Sequence, residues 1–346
     1  MYLAGRRLAF VLGCALLASC GGGDGGSSPP PTGGGGGTPT PSPTPSPTPT
    51  PTYQTVVQLT GNQTFATSCA TYNFDPTISP NFGATSAFQF GEGFQLRFTD
   101  SNDSWSFIQE GSTGPGSETT FTFAPGDIVA SPPANTVLYR RMPAGSLLEL
   151  ALRNGQQTGF TTDYLRTSLF TNIAAAGPQG SARLDSLCVY GVPTVAADTF
   201  PSATATYTSI NVSGTATLMN TAQRVATFSL RDSTATFSLN GQTNTVTMSI
   251  QLVGREIMPD GSLSNTTITL PAITAGSGTV VSSGTPSVRT FDGNFTTGGI
   301  QELRSGFAGA FFGPQGSEVG FSFRAYPSTN NSSENYEIAG VVVARR

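Results

Sequence analysis

From about residue 53 onward, apolar residues recur at every second position, the spacing of a strand that buries one face. Phe88-Gln89-Phe90, Phe94-Gln95-Leu96-Arg97-Phe98 and Trp105-Ser106-Phe107 alternate in this way, and Asp100-Ser101-Asn102-Asp103 between the last two has turn chemistry. Val225 to Leu230, Thr234 to Leu239 and Thr245 to Leu252 repeat the pattern, with Asn240-Gly241 as a hairpin signal and Pro259-Asp260-Gly261 as another turn. Helical periodicity is nearly absent, and its one weak candidate, the small-residue tract Ser168 to Ala176, reads as a turn or loop. The expected class is all-β. Near residues 191 to 202 the alternation lapses around Pro193 and Pro201, residues that do not sit inside a central strand. A boundary is expected there, between a β-rich domain over 53–195 and a second over 196–346 that suits an antiparallel barrel of about eight strands.

The first 52 residues break this alternation in two ways. Residues 1–19 run from Arg6 and Arg7 through the apolar stretch Leu8 to Leu17 to Ala18 and Ser19, the order of charge, hydrophobe and small residues in an export signal. The stretch is about half as long as the roughly 20 residues of a spanning helix. Its end, Leu17-Ala18-Ser19-Cys20, resembles the lipobox of bacterial lipoproteins, which implies cleavage before Cys20 and acylation of that residue. Each buried methylene of an acyl chain contributes about 0.8 kcal/mol, so two or three chains hold firmly. Gly21 stands where an inner-membrane retention signal would carry Asp, which implies an outer-membrane location. Residues 20–52 then offer Gly and alternating Pro, a disordered linker whose Pro-rich half would extend about 45 Å at ~3.1 Å per residue.

Composition narrows the chemistry. Only 10% of residues are charged, there is no His, and all sixteen basic residues are Arg. Without Arg6 and Arg7, fourteen Arg face twenty acids, a formal charge of −6 that argues against nucleic acid as a partner. The absence of His excludes the usual catalytic triads and His-ligated zinc or haem. No nucleophile elbow, phosphate loop or dinucleotide fingerprint occurs, so no catalytic residue, metal ligand or cofactor is expected. Asp100 with Asp103 is the nearest carboxylate pair, in a setting that reads as a solvated turn rather than as glycosidase or calcium chemistry. Arg140 and Arg141 read as solvated charge at a strand end. Once Cys14 leaves with the signal and Cys20 is acylated, Cys69 and Cys188 remain, and an even pair in an exported chain is expected to be a disulfide.

Gly306-Phe307-Ala308-Gly309-Ala310-Phe311-Phe312-Gly313-Pro314, followed by Glu318-Val319-Gly320-Phe321-Ser322-Phe323, resembles the barrel signature of transferrin-binding protein B and its relatives. Tyr190-Gly191-Val192-Pro193-Thr194, then Pro201 and Ala205-Thr206-Tyr207, is similar to the lead-in to that barrel, and Ile338 to Val343 to its closing strand. The likeness covers about half the chain, with residues 53–195 standing where the family has its handle domain. It implies a surface-exposed, monomeric, non-enzymatic lipoprotein, anchored in the membrane through Cys20, that captures an iron-carrying protein or haem outside the cell. A structural or adhesive surface protein is the alternative. Read physically, Gly313-Pro314 turns a hairpin, and Phe307, Phe311, Phe321 and Phe323 supply core.

Overall fold

A computed structural model describes residues 51–346 apart from 75–83, 112–116, 154–159, 176–180, 220–223, 259–260, 271–272, 285, 298–302 and 328–334. The export segment, Cys20 and almost all of the linker therefore lie outside the described residues. What is described is all-β, in two antiparallel sheets.

The first sheet holds β1 (Gln63–Phe74), β2 (Ala84–Ala87), β3 (Phe94–Thr99), β4 (Ser104–Gln109), β5 (Thr119–Phe123), β6 (Thr136–Arg141), β7 (Leu147–Arg153), β8 (Leu165–Ile173) and β9 (Arg183–Gly191). Eight of them run in the order β5-β4-β3-β1-β9-β8-β7-β6, with β2 alongside β1. The two ends of this path meet, so the sheet is a nearly closed barrel. Ile128 bridges to Tyr139, Arg141 donates to the Thr122 carbonyl, and the Phe123 and Tyr139 rings lie 6.1 Å apart. Inside, the side chains of Phe94, Leu96, Phe107, Leu150 and Phe170 are at most 2% exposed.

The second sheet holds β10 (Thr204–Tyr207), β11 (Ser209–Met219), β12 (Arg224–Ser229), β13 (Thr234–Asn240), β14 (Thr245–Gln251), β15 (Val253–Ile257), β16 (Leu263–Thr269), β17 (Ile273–Ser283), β18 (Val288–Thr297), β19 (Leu303–Phe312), β20 (Glu318–Pro327) and β21 (Asn335–Arg345). Only Thr208 separates β10 from β11. Because β10 pairs with β13 while β11 pairs with β21, this nearly continuous strand closes a ring of eight: β10/β11, β13, β14, β17, β18, β19, β20 and β21. The other three, β12, β15 and β16, extend from β11 as a flap. In the first sheet the first strand, β1, pairs with the last, β9, and in the second the β10/β11 strand meets the last, β21, through β11.

Alternation explains the ring. Phe237 and Leu239 in β13 and Val246, Met248 and Ile250 in β14 point inward and are at most 3% exposed. Between them the outer face carries hydroxyl pairs, Thr236 with Ser249 at 2.8 Å and Ser238 with Thr247 at 2.7 Å. Phe307, Phe311, Phe321 and Phe323 join this core as the sequence predicts, and burying each such ring contributes on the order of 1.5–3 kcal/mol.

Two expectations are corrected. Ser168 to Ile173 is not a loop but the body of β8, a central strand. Ser168 lies opposite both Leu152 and Cys188, and its small side chain leaves room beside the disulfide, so tertiary packing overrides a weak local signal. Phe88-Gln89-Phe90 is not a strand: β2 ends at Ala87, and Gly91 and Gly93, at φ +89° and +77°, turn the chain toward β3. Asp100–Asn102 forms the turn its residues suggest, closed by Asp103 at φ 47°. Gly261, also at positive φ, sits in the β15–β16 turn whose Pro259 and Asp260 fall outside the described residues.

Candidate functional site

The signature residues gather where the two sheets meet. The β19–β20 turn is held by the segment that follows β9: Gly313 N donates to Val192 O at 3.0 Å, Thr194 N to Phe311 O at 2.8 Å, and Thr194 Oγ1 to Gly313 O at 2.6 Å. Asp198 accepts from Gln315 N at 2.6 Å and from the Tyr53 hydroxyl at 3.0 Å; burial, chiefly, pushes that phenol up to about 12. Tyr207 donates to Gly316 O, and Arg346 N to Ser317 O.

Glu318 opens β20 and is 4% exposed. Its carboxylate crosses to the first sheet and accepts from Asp163 N at 2.6 Å and Tyr164 N at 3.0 Å, just ahead of β8. Burial raises its pKa above the ordinary value of 4.5, opposed by these two donors and by nearby Arg166. Ser68 of β1 donates to Ala308 O at 2.6 Å and lies 2.8 Å from the Ser322 hydroxyl, a second polar tie between the sheets.

Around these ties lies an apolar contact of Leu165, Leu187 and Val189 with Ala310, Phe312, Val341 and Val343. Gly320 faces it: a Cβ there would stand 2.9 Å from the Leu165 side chain, so only glycine admits the first sheet this closely. At Gly313, φ is +68° and a Cβ would fall 2.3 Å from the Tyr164 ring. Gly309 is equally tight against Gly320 O, whereas Gly306 meets nothing nearer than 3.5 Å. The barrel signature, read from the sequence as hairpin and core, is thus also the clasp between the two sheets. Pro314 begins the turn, and Phe312 points into the contact rather than the barrel interior.

Cys69 and Cys188 are directly opposite on β1 and β9, both fully buried, with their sulfurs bonded at 2.03 Å. Arg140 pairs with Glu149 at 2.5 Å. Among the described residues no group of three His, Cys, Asp or Glu is placed to hold a metal.

Beyond the clasp the sheets part to leave a groove of about 840 Å³. One wall is the outer face of the first sheet, with Arg153, Thr167, Leu169, Asp185 and Leu187. The other is β11 and the flap, with Asn211, Thr215, Ser229, Arg231 and Ile257. Four Arg, at 153, 166, 183 and 231, meet two Asp, at 185 and 232, a net positive lining in an acidic chain. The charges are not equally matched. Arg183 lies 2.6 Å from Asp185, and Arg231 lies 3.7 Å from Asp232, which Arg255 also meets at 2.8 Å. Arg166 is buried and, among the described residues, donates to the Thr162 and Leu165 carbonyls. Arg153 has no hydrogen bond or ion pair among the described residues, and burial pulls its pKa below the ordinary value.

None of these groove residues is foretold by the sequence reasoning, because a lone Arg in a Ser/Thr-rich strand looks solvated. The available signal was its place at the end of Leu147-Leu148-Glu149-Leu150-Ala151-Leu152-Arg153: with the even-numbered Leu turned inward, Arg153 must share the outer face with Glu149 and Ala151.

No family model matches the chain, and no curated protein sequence matches it. Solved structures that align with it include a double mutant of transferrin binding protein B from Haemophilus parasuis, at 10% identity and a TM-score of 0.38, covering 83% of this chain and 76% of that one. The haemoglobin receptor HpuA from Kingella denitrificans aligns at 15% identity and a TM-score of 0.27, over 70% and 83%. Transferrin binding protein B from Neisseria meningitidis aligns at 11% and 0.30, over 83% and 77%. TM-scores below 0.5 carry no ligand, partner or location across, and the similarity to transferrin-binding-protein-B-like proteins is one of fold.

Proposed function

We propose that the chain is an outer-membrane lipoprotein, acylated at Cys20 and displayed on the 20–52 linker as a monomer, that captures an extracellular ligand without chemically changing it. The observation that carries the binding role is the groove: a concave space of ligand size whose lining mixes apolar side chains with polar and charged ones. The order Arg6-Arg7, Leu8 to Leu17, Cys20 supports the anchor. Replacing Cys20 with Ser is expected to release the protein from membranes or leave its precursor uncleaved; a variant that fractionates with outer membranes as the wild type does would sink the anchor.

The signature's resemblance to transferrin-binding-protein-B barrels supports an iron-carrying ligand, and the side chains available for axial ligation count against free haem. With no His, axial ligation falls to Tyr or Met. None of the eight tyrosines beyond the export segment is exposed; Tyr53 and Tyr207 already donate their hydroxyl hydrogens, and Tyr190 is deeply buried. Among the described residues the exposed thioethers are Met142 and Met258, on separate hairpins. Hemin titration of the full chain is expected to give no saturable Soret shift at micromolar concentration; a saturable shift lost in a single Tyr→Phe variant would reinstate haem.

A further inference from the structure

We propose that the groove binds a small organic anion, a carboxylate or phosphate head with an apolar body, whose head is held by Arg153 and Thr167. This rests on the reading of the groove as the binding site.

The two residues are direct partners across β7 and β8, so their side chains stand on the same outer face of the sheet. Both line the groove and both lack a hydrogen-bond partner there among the described residues: the guanidinium of Arg153 and the hydroxyl of Thr167. A half-buried guanidinium facing a cavity is ordinarily matched by an acid, because a charge drawn partly out of water without one is costly. Every other groove Arg has acceptors: Arg183 and Arg231 have aspartates at the partly exposed rim, and Arg166 has carbonyls. Among the described residues Arg153 is the one groove Arg without an acceptor. A guanidinium presents paired N–H groups that match the two oxygens of a carboxylate or phosphate, and the neighbouring hydroxyl can give a third bond. The same lining carries Leu169, Leu187, Ile257 and Val343, apolar surface for the body of the ligand.

Isothermal titration of the full chain in non-ionic detergent with phenylacetate and phenyl phosphate, against the isosteric neutral phenylacetamide, tests this. Both anions should bind with the amide at least tenfold weaker, and Arg153→Gln should lose at least tenfold in anion affinity while its unfolding midpoint stays or rises, since a half-buried charge without a partner is removed. A purely structural Arg153 would lower the midpoint instead. Thr167→Val should weaken the anions severalfold, and Arg140→Gln, on the neighbouring strand but paired with Glu149, should leave them unchanged. Equal binding of amide and anions, unchanged affinity in Arg153→Gln, or no binding of either anion overturns the proposal. Membrane display is read separately in the Cys20→Ser fractionation, so one can fail while the other stands.

Discussion

Replacing Cys69 and Cys188 together with Ala is expected to remove about 4 to 5 kcal/mol of stability, the chain-entropy worth of closing a loop of 119 residues. The effect lies mostly in the unfolded chain, so the native first barrel should persist with its near-ultraviolet signature intact while the urea midpoint falls. Both sulfurs are fully buried in the core shared by Phe65, Leu150 and Tyr190, so reductant should act on the native protein only as fast as that barrel opens. Equilibrium urea unfolding of the wild type and the double variant, fitted with a common slope, gives the difference; a loss below about 1 kcal/mol would show that the unfolded chain is already constrained without the bond.

Glu318→Ala should cost about 2 kcal/mol, because it leaves the part-buried amides of Asp163 and Tyr164 without their acceptor. Glu318→Gln should cost less, since its amide oxygen still serves one donor. Hydrogen exchange at the Tyr164 amide should quicken first, ahead of the barrel cores, as the clasp loosens locally. The pH dependence has a definite sign. A carboxyl whose folded pKa lies above 4.5 contributes stability that is fully present below 4.5 and lost as pH rises through the raised value. The wild type should therefore lose stability across that interval and Glu318→Gln should lose less; identical slopes would mean that Glu318 does not titrate between those limits.

The barrel of the second half was legible in the sequence because its strands are half-buried in the simplest way: Thr234 to Leu239 and Thr245 to Leu252 carry core residues at every second position and hydroxyls between them. The first sheet was less so. Its curl into a near-closed barrel depends on contacts such as Ile128 with Tyr139, which no local pattern records, and β8 was hidden because Ser168 and Thr171 are small and polar to suit neighbours 14 and more residues away. The signature residues were found by resemblance, yet their role as a clasp was not, since Glu318 meets Asp163 across 155 residues of sequence. Arg153 and Thr167 become a pair only through the β7–β8 register, which one sequence does not disclose.

In each barrel the strand made first finds its partner in the strand made last. A chain emerging from the ribosome carries β11 for well over a hundred residues before β21 exists, and β1 waits similarly for β9. Until then Val212, Ala216 and the phenylalanines of β18–β20 have no complete interior to enter, so the growing polypeptide must stay open rather than settle strand by strand. Ring closure then becomes a late, length-triggered event. A chain truncated by even its last twelve residues would lack β21 entirely and present β11 and β20 as bare strand edges, so premature termination should yield aggregates rather than a smaller folded protein.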